Sequence, residues 1–85
     1  MHHLLILEDE ELLRASVRRG LSQIASIEIV DVGTFAQALE AIDERPPDLV
    51  LSDLNLPDRS GIELLGELGA RNLAIPIVFM SAYLE

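Results

Sequence analysis

The sequence predicts an α/β fold built on a doubly wound parallel sheet. Short continuous apolar runs recur along the chain, and they alternate with segments whose apolar residues are spaced three or four apart. Continuous apolar runs are typical of strands covered on both faces, and strands that alternate with helices form parallel sheets with right-handed crossovers. We therefore expect the order βαβαβαβ in one domain over residues 1–85.

The first half of the chain supplies two strands and two helices. Residues 4–7 are an apolar run that stops at an acidic cluster, and residues 27–32 form a second strand. The helical stripe between them consists of Leu13, Val17, Leu21 and Ile24. Thr34 can cap the helix after the second strand. The apolar stripe of that helix consists of Phe35, Ala38, Leu39 and Ile42. Pro46 and Pro47 end it, because proline cannot continue the helical hydrogen bonds.

The second half begins with a third strand, residues 48–52, which runs directly into Asp53. A loop follows, and Ser60 at its end can cap the third helix. The predicted apolar face of this helix consists of Ile62, Leu65 and Leu68. Asn72 is the expected exit residue, since Asn tolerates the left-handed conformation found just beyond helix ends. Residues 76–81 then form the fourth strand.

Composition excludes several classes of protein. Fifteen acidic and six basic residues give a net charge of −9, which disfavours nucleic-acid binding because phosphate contacts require Lys and Arg. No apolar run is long enough for a secretory signal or a membrane span, so no membrane association is expected. The absence of Cys rules out disulfides and thiolate metal sites and fits a reducing cytoplasm. His2 and His3 are expected to be exposed terminal residues without a role.

Polar side chains end three of the four predicted strands. The first strand ends in Glu8 and Asp9, the third in Asp53 and the fourth in Ser81. The second strand ends in an apolar residue and a glycine, which offer no chemistry. Ligands of open α/β sheets bind beyond the carboxyl ends of the strands, where the strand order reverses. We therefore expect the four polar side chains to share one site.

Three carboxylates in one pocket would repel one another and raise one another's pKa values unless a cation neutralised them. Oxygen ligands without His or Cys favour Mg²⁺. With Mg²⁺ present, one of the carboxylates could attack a phosphorus atom and form an acyl phosphate, and Ser81 could hydrogen-bond the new phosphate. Each feature alone also has a structural interpretation, since acidic pairs stabilise helix N-termini and Asp is a common turn residue. The combination is what predicts a phosphoryl-transfer site.

Three segments resemble the receiver domains of two-component response regulators. They are LLILEDE at the first strand, PDLVLSDLNLPDRSGIELL around Asp53, and IPIVFMSA at the fourth strand. The central segment is the strongest match, because it also contains the loop proline, Pro57, and the glycine at the helix entrance, Gly61. The resemblance spans essentially the whole chain. It implies a flavodoxin-like sheet with strand order 2-1-3-4-5.

The resemblance also implies a role for each site residue. Asp53 would accept a phosphoryl group from a phosphohistidine on a histidine kinase or a phosphotransfer protein. Asp9 and the Asp53 carboxylate would bind Mg²⁺ directly. The backbone carbonyl of Asn55 would supply a third protein oxygen, and Glu8 would hold the metal through a water. Ser81 would contact the phosphoryl group. Such a domain is cytoplasmic, and it is not an enzyme beyond catalysing its own phosphorylation and dephosphorylation.

The sequence also departs from the family. Family members continue past the fourth strand with a helix, a fifth strand and a fifth helix, and a Lys before the fifth strand pairs with the phosphoryl group. The 85 residues contain no Lys, and we do not equate Tyr83 with the aromatic residue of that fifth strand. We therefore expect a truncated receiver that is phosphorylated slowly at Asp53. Its uncovered fourth strand and sheet face should make it self-associate, most simply as a homodimer, or else leave it partly unfolded when alone.

Two other functions stay open. A degenerate receiver could act as a dimerisation or docking module without phosphorylation, and the missing Lys favours this alternative. A Mg²⁺-dependent phosphohydrolase of the haloacid-dehalogenase type needs a second Asp two residues after a nucleophile on the first strand. Here position 55 is Asn and Asp53 follows the third strand, so this alternative is disfavoured. A flavin-binding domain is disfavoured by the absence of Trp and the single Tyr.

Overall fold

The computed structural model describes residues 2–24 and 26–80, and these residues form a parallel sheet with helices on its two faces. The strands are β1 His2–Leu7, β2 Ile27–Val32, β3 Leu49–Asp53 and β4 Ile77–Met80. The helices are α1 Glu11–Leu21, α2 Phe35–Glu44 and α3 Glu63–Ala70. The strand order is β2-β1-β3-β4, and every neighbouring pair is parallel. The predicted α/β class, element order and strand order are therefore confirmed.

The strand order divides the helices between the two faces of the sheet. Right-handed crossovers that run in opposite directions along a sheet lie on opposite faces, so α1 covers one face and α2 and α3 cover the other. The principal core lies on the α2 and α3 face. It consists of Leu5, Leu7, Phe35, Ala38, Ile42, Val50, Leu64 and Leu68.

The face that carries α1 is less completely covered. No residue of α1 is fully buried, and the predicted stripe residues Leu13, Val17 and Leu21 are only half-buried. Ile24 does not belong to the helix, which ends at Leu21, and its side chain is exposed. Beside α1 lies an apolar groove of about 560 Å³ over β1, β3 and β4. Among its lining residues are Leu4, Leu21, Ile27, Leu49, Leu51 and Val78.

The predicted apolar face of α3 is wrong for two of its three residues. Ile62 and Leu65 are 55% and 53% exposed, whereas Leu64 and Leu68 are buried. The reason lies in the way the chain enters the helix. Three hydrogen bonds of the i to i+3 type, from the Glu63, Leu64 and Leu65 amides, form the first turn, and Gly61 at the helix entrance packs against the Asp53 backbone. Leu64 and Leu68 lie three and seven residues after Gly61, so they share its side of the helix and are buried with it. Ile62 lies about 120° around the helix from Leu68, which turns it towards solvent.

Of the two capping residues predicted for α3, Asn72 has its expected position, whereas the N-cap is Ile62 rather than Ser60 and makes no side-chain cap hydrogen bond. The Ser60 hydroxyl accepts a hydrogen bond from the Ile62 amide at 3.4 Å, and the Glu63 carboxylate accepts one from the Ser60 amide at 3.2 Å. At the other end Asn72 has a φ of 56°, as its expected role as exit residue requires. The Leu73 amide bonds the Leu68 carbonyl at 2.9 Å, which completes a Schellman motif around Asn72.

The expectation that His3 is an exposed terminal residue is wrong, although His2 is exposed as expected. Strand β1 begins two residues earlier than predicted, because its ladder with β2 starts at the pair His2 and Ile27. The side chain of His3 is 5% exposed, and its backbone exchanges two 2.8 Å hydrogen bonds with Asp48. Among the described residues no helix is both long and apolar enough to cross a bilayer.

Candidate functional site

Three carboxylates meet at the carboxyl edge of the sheet, as the sequence predicts. Strands β1 and β3 are parallel neighbours with Leu7 opposite Ser52, so Glu8 and Asp53 follow at equivalent positions. One carboxylate oxygen from each of Glu8, Asp9 and Asp53 lies within 4.8 Å of the others. The convergence follows from topology alone, because parallel strands that are adjacent in a sheet must end at the same edge.

The three carboxyl groups differ in their exposure. The side chains of Glu8 and Asp53 are 2% and 5% exposed, whereas Asp9 is exposed. A Glu8 oxygen accepts a hydrogen bond from the Glu10 amide at 2.8 Å, and an Asp53 oxygen accepts one from the Asn55 amide at 3.2 Å. The pocket therefore has a buried floor of two oriented carboxylates and a solvent-facing carboxylate at its mouth.

Two backbone contacts attach this pocket to the rest of the fold. The Arg14 guanidinium of α1 donates to the Glu8 carbonyl at 2.8 Å, and it also lies 4.0 Å from the Asp31 carboxylate at the end of β2. On the other side the Leu54 amide donates to the Met80 carbonyl at 3.1 Å, which extends the β3–β4 ladder past Asp53. Displacement of α1 or of the end of β4 would therefore move the carboxylates.

Burial raises the pKa of Glu8 from its ordinary value of 4.5 to about 7. The hydrogen bond from the Glu10 amide opposes this shift, whereas the neighbouring Asp9 and Asp53 carboxyl groups add to it. A buried acid surrounded by two others is unfavourable as an anion in the absence of a counter-charge. Hard oxygen donors of this kind fit a divalent cation such as Mg²⁺.

The raised pKa of Glu8 predicts a stability that falls with rising pH in the metal-free protein. Between pH 4.5 and about 7 the folded state holds a proton that the unfolded state has released, so the free energy of unfolding decreases across this window. We expect a decrease of about 1–3 kcal/mol from this group. Urea unfolding at a series of pH values in EDTA measures it.

The neutral variant Glu8→Gln should lose most of this pH dependence while keeping the acceptor for the Glu10 amide. The matched control is Glu40→Gln, which removes an exposed carboxylate from α2. Equal pH slopes in the Glu8→Gln variant and the wild-type protein would show that Glu8 does not titrate in this range.

Gly61 packs directly against the backbone of Asp53. A Cβ atom at position 61 would lie 2.0 Å from the Asp53 carbonyl oxygen and 3.1 Å from the Ser52 hydroxyl. The Gly61 amide donates to the Leu54 carbonyl at 2.8 Å, and the Ser52 hydroxyl donates to the Asp53 carbonyl at 2.9 Å. The missing side chain of Gly61 is therefore what allows the entrance of α3 to lie against the end of β3.

The loop after Asp53 makes contacts that sequence reasoning missed. Asn55 and Ser60 form an isolated antiparallel bridge, and the tip of the loop reaches the first residue of α2. There an Asp58 oxygen accepts a hydrogen bond from the Phe35 amide at 3.3 Å, and the Arg59 guanidinium lies 4.9 Å from the centre of the Phe35 ring. The Asp in the turn was a visible signal, but its partner lies 23 positions away.

Ser81 and Tyr83 lie outside the described residues. The proposed phosphoryl contact of Ser81 therefore stays a prediction. Asn55 lies two residues beyond Asp53 and is tied to it through its amide, but its role as a carbonyl ligand is also a prediction. The described part of the site consists of Glu8, Asp9 and Asp53 with the loop beside them.

An open parallel sheet with an acidic pocket at its carboxyl edge fits the receiver class that the sequence resembles. The family model for the response regulator receiver domain matches residues 4–85. The chain belongs to this family.

Bacterial regulatory proteins are similar to the chain in sequence. The chain is 36% identical over 86 residues to the transcriptional regulatory protein MalR of Bacillus subtilis, with all of this chain and 37% of MalR covered. It is 40% identical over 78 residues to the regulatory protein LuxO of Vibrio cholerae, with 92% of this chain and 17% of LuxO covered. The chain thus spans about a third or less of the length of these relatives.

Solved structures share the fold. A CheY-like receiver domain from Methylobacillus flagellatus is 29% identical with a TM-score of 0.86, and the match covers 98% of this chain and 71% of that one. The MaeR response regulator, solved bound to beryllium trifluoride, is 29% identical with a TM-score of 0.88. The match covers 100% of this chain and 70% of the MaeR chain.

Proposed function

We propose that this chain is the phosphoacceptor part of a response regulator and that Asp53 takes a phosphoryl group from a phosphohistidine on a histidine kinase or phosphotransfer protein. The observation that carries the proposal is the meeting of the Glu8, Asp9 and Asp53 carboxylates at the sheet edge in a chain of the receiver family. The structure of MaeR with beryllium trifluoride supports it, because that anion resembles a phosphoryl group in shape and charge.

The residues present fit a bound Mg²⁺. Asp9 and Asp53 would bind it directly, the Asn55 carbonyl would supply a third oxygen, and Glu8 would hold it through a water. Mg²⁺, when bound, supplies positive charge to the oxygens of the transferring phosphoryl group. Ser81 would contact the phosphoryl group after transfer.

In this proposal the chain's own residues orient the nucleophile. The Asn55 amide holds one Asp53 oxygen at 3.2 Å, which leaves the other oxygen for attack on phosphorus. Burial of Asp53 excludes competing water from the attacking group. Such a domain catalyses at most its own phosphorylation and dephosphorylation, and it would act in the cytoplasm.

The test is Mg²⁺-dependent labelling of the wild-type chain with acetyl phosphate, followed by mass spectrometry. We expect the mass gain of one phosphoryl group in Mg²⁺ and none in EDTA, and we expect it to form slowly because the 85 residues contain no Lys. Amide shifts at Asp9, Asp53 and Asn55 during a Mg²⁺ titration give a measurement of metal binding without any phosphodonor. Shifts without labelling would favour the alternative of a receiver that no longer takes phosphate.

The uncovered face beside α1 favours self-association as a second property. The groove is apolar, Val78 of the edge strand β4 is 51% exposed, and no residue of α1 is fully buried. Apolar surface of this kind on an edge strand is a common site of association. We propose that two copies of the chain associate through this face to form a homodimer.

Sedimentation velocity across a concentration series should therefore detect a species larger than the monomer. Val78→Lys should weaken the association, because it places a charge in the groove. The matched control is Leu65→Lys on the opposite face of the sheet, where the side chain is similarly exposed. A wild-type monomer at every concentration, or equal weakening by both variants, would contradict association through the groove.

A further inference from the structure

The loop between β3 and α3 is attached at its tip to a fixed part of the core. The Phe35 side chain is buried in the principal core, so the first turn of α2 is a firm anchor. Asp58 accepts a hydrogen bond from the Phe35 amide at 3.3 Å, and the Arg59 guanidinium lies over the Phe35 ring at 4.9 Å from its centre. A cation at this distance from a ring face is attracted to it. Two adjacent loop residues thus hold the same anchor.

Hydrogen bonds connect the two sides of the loop, so a contact that restrains its tip also restrains its base. Asn55 and Ser60 face each other in an antiparallel bridge, and the Leu56 amide donates to the Arg59 carbonyl at 3.2 Å. The Gly61 amide then bonds the Leu54 carbonyl at 2.8 Å. The segment behaves as a small hairpin whose base lies beside Asp53 and whose tip rests on α2.

Arg59 also connects the tip to α3. Its guanidinium lies 3.3 Å from the Glu67 carboxylate, and Glu67 in turn pairs with Arg71 at 2.8 Å. Arg71 reaches Asp43 of α2 at 2.7 Å. Exposed pairs of this kind contribute little stability singly, but together they restrain the direction in which the loop tip can move.

We propose that Asp58 is a positioning residue for the metal site and that Arg59 assists it. By fastening the loop tip to the first turn of α2, Asp58 holds the backbone of Asn55 in place beside the acidic pocket. The inference rests on the proposed function, in which the Asn55 carbonyl binds Mg²⁺. Without the contact to Phe35 the loop would sample more conformations, and binding the metal would have to order it again at a cost in conformational entropy.

The test compares Mg²⁺ affinity in two variants at position 58. Asp58→Ala removes the acceptor for the Phe35 amide and should raise the dissociation constant for Mg²⁺ about tenfold, the low end of the range for residues that support metal ligands. Asp58→Asn keeps an acceptor oxygen without the charge and should stay within about twofold of wild type on the same reasoning. Glu40→Ala, which removes an exposed charge from α2, controls for net charge. Titration with Mg²⁺ alone, followed by amide shifts, gives all four constants.

Hydrogen exchange of the Phe35 amide, measured without metal, reports on the contact itself. Exchange should be faster in Asp58→Ala than in wild type, and Asp58→Asn should restore protection. Equal Mg²⁺ affinity in wild type and Asp58→Ala would overturn this inference alone, and so would an Asp58→Asn variant as weak as Asp58→Ala. A wild-type chain that binds no Mg²⁺ at all would overturn the proposed function together with this inference.

Discussion

Replacing Asp53 by Asn should abolish phosphoryl incorporation from acetyl phosphate. The carboxamide has no anionic oxygen to attack phosphorus, and the acyl phosphate that would otherwise form has no counterpart on an amide. The fold should survive, because the Asn side-chain oxygen can still accept the hydrogen bond of the Asn55 amide. Removing one negative charge from beside Glu8 and Asp9 should even stabilise the metal-free protein slightly.

Mass spectrometry of the treated protein measures this loss, with Glu44→Gln as the matched control. Glu44 is an exposed carboxylate in the last turn of α2, at the opposite edge of the sheet, and its replacement should leave labelling unchanged. A phosphoryl group that persists in the Asp53→Asn variant would identify another acceptor and refute the assignment.

Among the described glycines, replacement by Ala should cost the most stability at Gly61. The new Cβ would lie 2.0 Å from the carbonyl oxygen of Asp53, a distance far inside van der Waals contact. The atom in conflict belongs to the backbone, so relief requires a shift of β3 or of the entrance of α3. We expect a cost of about 3 kcal/mol, as for other overpacking substitutions in cores, together with impaired Mg²⁺ binding as Asp53 is displaced.

The same substitution at Gly66 provides a control of opposite sign. A Cβ there meets nothing within 4 Å, and the residue lies in the middle of α3. Gly66→Ala should stabilise the protein by about 0.5–1 kcal/mol, because alanine loses less backbone entropy in a helix. Urea unfolding of the two variants separates the cases, and similar free energies for both would mean that the close contact at Gly61 is not a constraint.

Much of the fold was predictable because it depends on local patterns. The apolar runs at residues 4–7 and 48–52 identify strands, and the alternation with helices determines that the sheet is parallel. The errors arose where a residue's surroundings depend on distant parts of the chain. His3 is buried because β2 and Asp48 pair with its strand. Leu64 rather than Leu65 is buried because the contact of Gly61 with Asp53 determines which side of α3 faces the sheet.

The candidate site was predictable in its members but not in its energetics. Strand ends determined that Glu8, Asp9 and Asp53 would meet, since adjacent parallel strands finish at one edge. The sequence does not reveal that Glu8 is far more buried than Asp9, the next residue, and burial is what raises the Glu8 pKa to about 7. The contact of Asp58 with Phe35 was equally hidden, because it joins the tip of a loop to the start of a helix 23 positions away.

The contact between Arg14 and the Glu8 carbonyl links the acidic pocket to the least covered helix of the fold. A partner bound in the groove beside α1 would restrict the motion of that helix. Through Arg14 it would also restrict the backbone conformations available at Glu8 and Asp9. Thermodynamic linkage requires the reverse as well, so a cation in the pocket would favour whatever covers the groove. Metal binding in the acidic pocket and association through the groove beside α1 would then be thermodynamically coupled.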